Sequence, residues 1–286
     1  MEKVNTISSY SKTLSFTTSG TTATVAIADK TYSGSLKIPA YVKDDSNIYK
    51  VKTIIDYGFE NCKTLQGVKI PSSVTSIGIN AFYNCTSLTT VNLQESLVMI
   101  KQNAFNNAPI NQITLPSNLN TIEYYAFGNT KLTTIVIPAS VKNLGSAIFL
   151  GSPLTSISVE DGNTVYEDRD SNGIFQKPGI LISACENTVL TEGVTQIGGH
   201  AYQGIKTITE IVLPSSCTSV LTRGFAYCTK LKTITIPASV TSFGKEAFVS
   251  TGITTINFGG TEAQWNAITG LSTASIPSGA TINFAG

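Results

Sequence analysis

Apolar residues recur along this chain with a period of 22 or 23 residues, and one aromatic residue marks each repeat. The spacings between consecutive marking aromatics are 23, 23, 22, 22, 53, 23 and 23 residues. The long spacing holds one further repeat together with an insertion. Fixed periods in this range are typical of arrays in which each repeat stacks on its neighbours. The marking aromatics are Phe59, Phe82, Phe105, Phe127, Phe149, Tyr202, Phe225 and Phe248.

Each repeat has two halves with different patterns. In one half, Leu132, Ile135 and Ile137 are spaced as in a short strand, which Pro138 ends. The other half, residues 77–82, is too short for a stable free helix and predicts a single helical or 3₁₀ turn. One repeat cannot bury its own apolar row, so the strands must stack side by side. We therefore predict an α/β fold, a right-handed leucine-rich-repeat solenoid with a parallel sheet on its concave face and the short turns on its convex face.

The strand half also determines which residues point away from the core. Because side chains alternate across a strand, two positions per repeat lie opposite the buried isoleucines, and we call them the strand-face positions. They are short, mostly neutral and rich in threonine, which suits a flat hydrogen-bonding surface, although threonine also favours strands for its own sake. The first row is Gly67, Thr90, Gln112, Thr134, Ser156, Glu210, Thr233 and Thr255, and the second is Lys69, Asn92, Thr114, Val136, Ser158, Val212, Thr235 and Asn257. The ligand contacts that we expect are Thr90, Asn92, Gln112, Thr114, Thr134, Ser156, Glu210, Thr233 and Thr235.

The two ends and one internal segment depart from the repeat. A stacked array needs covered ends, since open strand edges invite aggregation. Residues 1–33 predict an N-terminal β cap built on a hairpin. Residues 259–286 predict a C-terminal cap, in which a short helix carries the sole tryptophan, Trp265, as an apolar lid. The repeats then occupy residues 34–159 and 193–258, separated by a hairpin-like insertion at residues 160–192.

Composition and charge narrow the possible partners. Only 13% of the residues are charged, the net charge is +1 and the pI is near 7.5, so no electrostatic pattern favours nucleic acid or an anionic membrane. No stretch approaches the ~20 consecutive apolar residues of a membrane-spanning helix. Residues 1–6 lack the apolar segment of a signal peptide. The protein is therefore intracellular, or its leader is missing from this sequence.

Catalytic and metal-binding groups are scarce. His200 is the sole histidine, so Ser/His/Asp or Cys/His catalysis would depend on it alone. Residues 168–173, with Asp168, Asp170 and Asn172, match the first half of a calcium loop, but Gly179 stands where a bidentate carboxylate belongs. A turn between strands is the better interpretation. We expect no cofactor, no metal and no enzymatic activity.

Five cysteines fall at defined places in the pattern. Cys62, Cys85 and Cys228 follow the marking aromatic in three repeats, where a small buried residue belongs. A Cys62–Cys85 disulfide stays open as an alternative, because adjacent coils bring those positions close. Cys217 replaces an apolar residue and is expected in the core. Cys185, in the insertion, is the best candidate for an exposed thiol.

The repeat motifs resemble those of the BspA-like leucine-rich-repeat family, which is found in surface and secreted proteins of gut and mucosal bacteria and in some protists. The resemblance rests on residues 77–88 and 236–244 and spans roughly residues 34–268. Tyr202 and Ile205 replace the usual phenylalanine and cysteine, so their repeat is degenerate.

The resemblance implies adhesion outside the cell. We expect an extracellular or cell-surface protein, a monomer that contacts a protein or glycan on a host or neighbouring cell through its strand face, without nucleic acid or membrane insertion. One alternative is a structural spacer that displays another domain. A carbohydrate-active enzyme is a weaker alternative, for which Asp168, Asp170 and Glu210 are the acids to test.

Overall fold

Short strands of successive coils pair in parallel through most of the chain, as in a leucine-rich-repeat solenoid. Helix is scarce among the residues that the structure describes. The computed structural model describes residues 4–169 and 172–285. It divides into two units, Met1–Pro153 and Leu154–Gly286. Each unit is a stack of coils with its own hydrophobic interior. The predicted solenoid fold is therefore confirmed.

The first unit opens with a 3₁₀ turn, Ile7–Tyr10, followed by an antiparallel hairpin. The second hairpin strand, Thr22–Ile27, pairs in parallel with the strand Ile48–Ile54, so the hairpin covers an edge that the first coil would otherwise expose. This is the β-hairpin expected at the N-terminal end of the array. The strands of the first unit are β1 Leu14–Ser19, β2 Thr22–Ile27, β3 Gly34–Lys37, β4 Tyr41–Lys43, β5 Ile48–Ile54, β6 Leu65–Lys69, β7 Ser76–Ile77, β8 Thr90–Asn92, β9 Met99–Ile100, β10 Thr121–Ile122, β11 Thr134–Ile137 and β12 Asn143–Leu144.

Two sheets run along the first unit. One has the strand order β1-β2-β5-β7-β9-β10-β12, with β4 antiparallel to β5. The other has the order β3-β6-β8 and carries strand-face positions. The ladder of two-residue strands was missed from the sequence, because two residues show no periodicity.

In the second unit the insertion becomes part of the solenoid. The strands of this unit are β13 Ser156–Val159, β14 Tyr166–Glu167, β15 Gly173–Gln176, β16 Ile180–Ala184, β17 Gln196–Ile197, β18 Glu210–Val212, β19 Ser219–Val220, β20 Thr233–Ile236, β21 Ser242–Phe243, β22 Thr255–Phe258 and β23 Thr281–Phe284. Strands β14, β15 and β16 are antiparallel, but β16 then pairs in parallel with β17 and so starts a ladder β16-β17-β19-β21. A four-stranded parallel sheet, β18-β20-β22-β23, carries the strand face of this unit.

The stretch around each marking aromatic, which we call the turn segment, consists of consecutive tight turns. Alternate amides bond within the segment, as the Ala81 N–H does to the Gly78 carbonyl at 3.3 Å. The amides between them bond to the next coil, as the Phe82 N–H does to the Ala104 carbonyl at 2.8 Å. The i→i+3 bonds of a 3₁₀ turn are thus present but interrupted, so the backbone is shared between coils.

Two residues in every turn segment adopt a left-handed backbone, one two positions before the aromatic and one two positions after it. Asparagine tolerates this conformation better than most residues, which explains its frequency here. The pairs are Tyr57 and Asn61, Asn80 and Asn84, Asn103 and Asn107, Tyr125 and Asn129, Ala147 and Gly151, His200 and Gly204, Arg223 and Tyr227, and Glu246 and Ser250.

The marking aromatics form continuous stacks in the interior. Phe82 lies 5.0 Å from Phe59 and 5.3 Å from Phe105 between ring centroids, in stacked geometry. In the second unit Phe225 lies 5.0 Å from Tyr202 and 5.9 Å from Phe248. Stacking of equivalent rings explains why the aromatic spacing is so regular, since a shift of one residue would remove a ring from the column.

After β22 the chain forms a short helix, α1 Glu262–Asn266, and a 3₁₀ turn, Leu271–Thr273, before β23 pairs in parallel with β22. A capping box between Thr261 and Gln264 fixes the start of α1. Trp265 is 4% exposed, and its ring packs edge-on against Phe243 and Phe258 at 5.9 and 5.3 Å. The prediction that Trp265 acts as an apolar lid is confirmed.

Candidate functional site

Parallel pairing places the strand-face positions of successive coils in straight rows. Neighbouring residues of a row are spaced by the ~4.8 Å between paired strands. The second unit thus brings Glu210, Thr233 and Thr235 to one face. Its first row is Glu210, Thr233, Thr255 and Thr281, and its second is Val212, Thr235, Asn257 and Asn283.

In the first unit the rows of β3, β6 and β8 hold two of the expected ligand contacts, Thr90 and Asn92, both exposed. The first row there is Ser35, Gly67 and Thr90, and the second is Lys37, Lys69 and Asn92.

The sequence reading missed the strand-face residues of the first and last strands. The signals were present: residues 35–39 repeat the strand pattern with its closing proline, and residues 281–284 repeat 255–258 letter for letter.

Four expected contacts lie outside these rows. Gln112 and Thr114 are exposed, but residues 111–116 form no strand, contrary to the strand pattern. Pro109, which has no N–H to donate, stands just ahead of this segment. Thr134 lies on β11 in the first unit and Ser156 on β13 in the second, and both are exposed.

Most of the expected contacts have polar groups that the chain itself does not use. Asn92 is the exception, since its side-chain oxygen accepts a bond from the Gln94 amide. Among the described residues, the others form no side-chain hydrogen bond or ion pair with the rest of the chain: Thr90, Gln112, Thr114, Thr134, Ser156, Glu210, Thr233 and Thr235.

Polar side chains elsewhere on the coils are engaged between coils. The amide of Asn84 donates to the side-chain oxygen of Asn61 at 2.7 Å. Arg223 and Glu246, at equivalent positions of adjacent turn segments, form an ion pair at 2.6 Å. These side chains hold coils together. On the strand face the Asn283 amide also donates to the Asn257 side-chain oxygen at 2.9 Å. The eight expected contacts named above, in contrast, have hydrogen-bonding capacity left for a ligand.

Two residues of the partial calcium-loop match hold the insertion in place. The Asp168 carboxylate accepts the Val159 N–H at 2.9 Å, and the Asn172 side-chain oxygen accepts the Ile157 N–H at 3.0 Å. Both bonds satisfy backbone N–H groups of β13, which would otherwise need a neighbouring strand as their acceptor. Asp170, which belongs to the partial calcium-loop match and is the third acid to test for the enzyme alternative, lies outside the described residues. Within the described residues no group of three or more His, Cys, Asp or Glu is placed to hold a metal ion.

All five cysteines are free and buried. The expectation of an exposed thiol at Cys185 is wrong, because β16 returns the chain to the core and leaves Cys185 2% exposed. Burial raises the pKa of the Cys228 thiol to about 12, and a hydrogen bond with Cys62 together with burial raises that of Cys85. Neither thiol is activated as a nucleophile.

His200 occupies a left-handed position in a turn segment, where its Nδ1 pairs with the side-chain oxygen of Gln203. Glu210, the one strand-face acid, belongs to the other half of the same coil. The sole histidine and this acid therefore do not share one face. Among the described residues, no helix has the length and apolar character needed to cross a bilayer.

Comparisons with solved structures agree with this architecture. A leucine-rich repeat protein from Eubacterium ventriosum is 22% identical, with a TM-score of 0.69 over 87% of this chain and 71% of its own. The pneumococcal vaccine antigen PcpA is 18% identical, with a TM-score of 0.64 over 86% of this chain and 80% of its own. A leucine-rich repeat protein from Bacteroides ovatus is 22% identical, with a TM-score of 0.57. The alignment with the last covers 95% of this chain but spans only 60% of that protein's length.

No curated protein sequence matches the chain. The family model for the BspA type leucine rich repeat region matches six copies, over residues 50–169 and 182–280. These ranges cover most of the chain and leave out the N-terminal hairpin, which is not a repeat. The stacked turn segments, the parallel strand rows and this match together show that the chain belongs to the BspA-type leucine-rich repeat family.

Proposed function

We propose that this chain is a non-enzymatic binding or adhesion module that contacts a protein or glycan through its strand face. The observation that carries the proposal is the contrast between the two halves of each coil. Polar side chains of the turn segments form hydrogen bonds or ion pairs with neighbouring coils. In contrast, eight of the nine expected strand-face contacts form no side-chain hydrogen bond or ion pair with other described residues. Free donors and acceptors on a rigid sheet lose little side-chain entropy on binding.

The threonine-rich composition fits a contact surface better than a reaction centre. Short hydroxyl side chains in straight rows present donors and acceptors at fixed intervals, and β-branched threonine is stiff at χ1. Catalysis by acids would need two carboxylates in one cleft. Glu210 is the one acid in the strand-face rows of either unit.

A location at the cell surface or outside the cell follows from the same proposal. One structural neighbour is the pneumococcal vaccine antigen PcpA, and a vaccine antigen must be reachable from outside the cell. A module of this kind would act as a monomer, with its ligand on a host or neighbouring cell.

The test compares two double variants that differ in which half of the coil they change. T90Y/T233Y adds rings to the strand face of both units, whereas T86Y/T229Y adds them to exposed positions of the same coils, four residues earlier. Both are measured against a glycan array and immobilised collagen IV, laminin and fibronectin. We expect T90Y/T233Y to lose at least about tenfold in affinity, because a ring covers neighbouring polar groups, and the control to bind as the wild type.

Equal binding by both variants would place the ligand elsewhere on the chain. Absence of binding to every probe by the wild-type chain would favour the spacer alternative. Turnover of any glycan that is lost on changing Asp168 or Glu210 would favour the enzyme alternative.

A further inference from the structure

Each turn segment has one residue three positions after its marking aromatic, and we call that position the slot. In two consecutive coils of the first unit the slot holds cysteine, Cys62 and then Cys85, and both side chains are buried. Cys228 occupies the slot of a later coil, with no cysteine in the slot before or after it. The slot residues in chain order are Cys62, Cys85, Ala108, Thr130, Ser152, Ile205, Cys228 and Thr251.

The spacing of the two cysteine-bearing coils suits a disulfide bond. The rings of Phe59 and Phe82, three residues before each slot, lie 5.0 Å apart between centroids. The backbones of these coils are joined by a hydrogen bond from the Asn61 N–H to the Tyr83 carbonyl at 2.8 Å. Equivalent positions of backbones paired in this way are separated by ~4.8 Å. Disulfide-bonded cysteines have Cα atoms about 4.4–6.8 Å apart, so the bond requires no large movement of the backbone.

The Cys85 thiol points towards the coil that holds Cys62. Its Sγ donates to the Phe59 carbonyl at 3.0 Å, and the Cys62 N–H donates to the same carbonyl at 3.3 Å. A hydrogen bond between the two thiols also lowers the pKa of Cys62. The two sulfurs are therefore in contact, and Cys62 is the thiol that forms a thiolate more readily.

The second unit contains the same slot geometry without a second thiol. The Cys228 Sγ donates to the Tyr202 carbonyl at 3.1 Å, and the Ile205 N–H donates to that same carbonyl at 3.1 Å. Ile205 thus stands towards Cys228 as Cys62 stands towards Cys85. The slot orients the later cysteine in the same way in both units, but a partner thiol is present in the first alone.

We propose that Cys62 and Cys85 form a disulfide bond that ties two consecutive coils of the first unit together. The reaction consumes a disulfide oxidant such as oxidised glutathione. The Cys62 thiolate attacks the S–S bond of the oxidant, which forms a mixed disulfide and releases one glutathione thiol. Cys85 loses its proton and attacks the Cys62 sulfur, which releases the second glutathione thiol. The two cysteine protons pass to the released glutathione molecules, so one disulfide bond forms and one breaks.

The bond secures the coil to which the N-terminal hairpin is attached. The Ile27 N–H of the hairpin donates to the Gly58 carbonyl in the coil of Cys62 at 2.8 Å. Coils at the end of an array have fewer neighbours and open more readily than internal coils. The bond closes a loop over residues 63–84 and so removes conformational entropy from the unfolded chain. It acts at this end of the array whatever the strand face binds.

The experiment maps the cysteines of the full chain after oxidation. The chain is unfolded and then refolded in a mixture of reduced and oxidised glutathione, so that the oxidant reaches both sulfurs. It is then alkylated in denaturant, digested and analysed by mass spectrometry. We expect a crosslinked peptide that joins Cys62 to Cys85, with alkylation at the other three cysteines alone.

C62A and C228A are matched variants, because each replaces a buried slot cysteine with the residue that the slot holds at Ala108. C228A should still form the Cys62–Cys85 bond, whereas C62A should be alkylated at all of its cysteines. Oxidation should raise the melting temperature of the wild type and of C228A by about 5–9 °C and leave that of C62A unchanged. Melting of the reduced variants verifies the fold, and C85A serves if C62A does not fold.

I205C tests whether the slot geometry is sufficient for pairing. It supplies the thiol that Cys228 lacks in the preceding coil, so a second crosslink to Cys228 should form. Cys185 and Cys217 should then be the alkylated cysteines.

Alkylation of all five cysteines in the refolded wild type would overturn the inference, as would a crosslink that maps to Cys185 or Cys217. A rise in melting temperature that is equal in C62A and C228A would assign the stabilisation to another cause. Absence of the second crosslink in I205C would overturn the claim that slot geometry determines the pairing.

Discussion

The two units of the chain have the same apolar framework and opposite charge. The first unit has twelve basic against eight acidic residues, a net charge of +4, and the second has seven against ten, a net charge of −3. In both, stacked marking aromatics are separated by 5.0 to 5.9 Å. Packing constrains the apolar positions of every coil in the same way, whereas the polar positions vary between units. Under the proposed function, we therefore expect ligand preference to be determined by the polar rows.

The left-handed positions show the same division. In the first unit most of them are asparagine, which tolerates this backbone through its short polar side chain. In the second unit they include His200, Arg223 and Glu246, and the last two form an ion pair between coils. The backbone geometry is thus retained while the side chains at these positions change.

The strongest test of the shared framework removes one aromatic from each unit. F105A and F225A each delete a fully buried ring that is stacked on both sides, so each should lower the free energy of unfolding by about 3–5 kcal/mol. Urea unfolding followed by far-ultraviolet circular dichroism measures both. Fluorescence of Trp265, the sole tryptophan, adds a probe located in the second unit.

The control for both is Y41A, which removes an exposed ring. A loss in one unit that is more than about twice the loss in the other would show that the two stacks are not equivalent, since cavity costs depend on how far the site relaxes.

The features of the fold that could be predicted from the sequence are those whose residues recur with the repeat period. The marking aromatics and the strand isoleucines are constrained by stacking, so their spacing predicts the coils and the strand rows directly. The two-residue strands, such as Ser76–Ile77, are held by pairing between coils and leave no local pattern. The left-handed positions were not predicted, because they are occupied by asparagine in some coils, such as Asn80, and by other residues in others, such as Arg223 and Glu246.

The candidate site was predictable only in part for a similar reason. Thr90 and Asn92 follow from strand alternation. Ser35 and Gly67 of the first row come from β3 and β6, and the sequence between them holds an additional strand pair, β4 and β5, that breaks the period. Their pairing is a result of register, which no repeat spacing predicts. Likewise, the burial of Cys185 could not be predicted without knowing that β16 returns the chain to the solenoid.

The two aromatic stacks differ at Tyr202, since the stack of the first unit contains phenylalanine alone. Its ring is fully buried, and its hydroxyl finds no hydrogen-bond partner among the described residues. Burial also raises the pKa of Tyr202, so the hydroxyl stays neutral. An unpartnered buried hydroxyl carries a desolvation penalty, so Y202F should raise the free energy of unfolding by roughly 1–2 kcal/mol. Urea unfolding followed by Trp265 fluorescence checks this.

The reciprocal change in the first unit is F105Y, which places a hydroxyl in a fully buried column of phenylalanine rings. It should lower stability by about 1–3 kcal/mol. If Y202F instead destabilises the chain, the Tyr202 hydroxyl has a hydrogen-bond partner in solution. The second stack would then contain a polar contact that the first lacks.

The smallest expected effect concerns a carboxylate that bridges coils in each unit. Glu95 accepts the Ser117 N–H at 2.8 Å in the first, and Glu192 accepts the Ser215 N–H at 2.9 Å in the second. Hydrogen bonds from the backbone and hydroxyl of Ser215 and from Ser216 hold the pKa of Glu192 below its usual value. A lowered folded-state pKa gives stability that is present above the unfolded value of about 4.3 and is lost as pH falls through the folded value.

E192Q should therefore weaken the fall in stability on acidification, measured by urea unfolding at about pH 7 and about pH 3. Because Glu192 is exposed at the coil edge, solvent screens the effect and the change should be small. E186Q is the matched control, since the Glu186 carboxylate forms no hydrogen bond among the described residues. If the free energy of unfolding falls between pH 7 and pH 3 by the same amount in E192Q, E186Q and the wild type, the serine contacts of Glu192 do not persist in solution. The bridge between coils would then rest on the backbone alone.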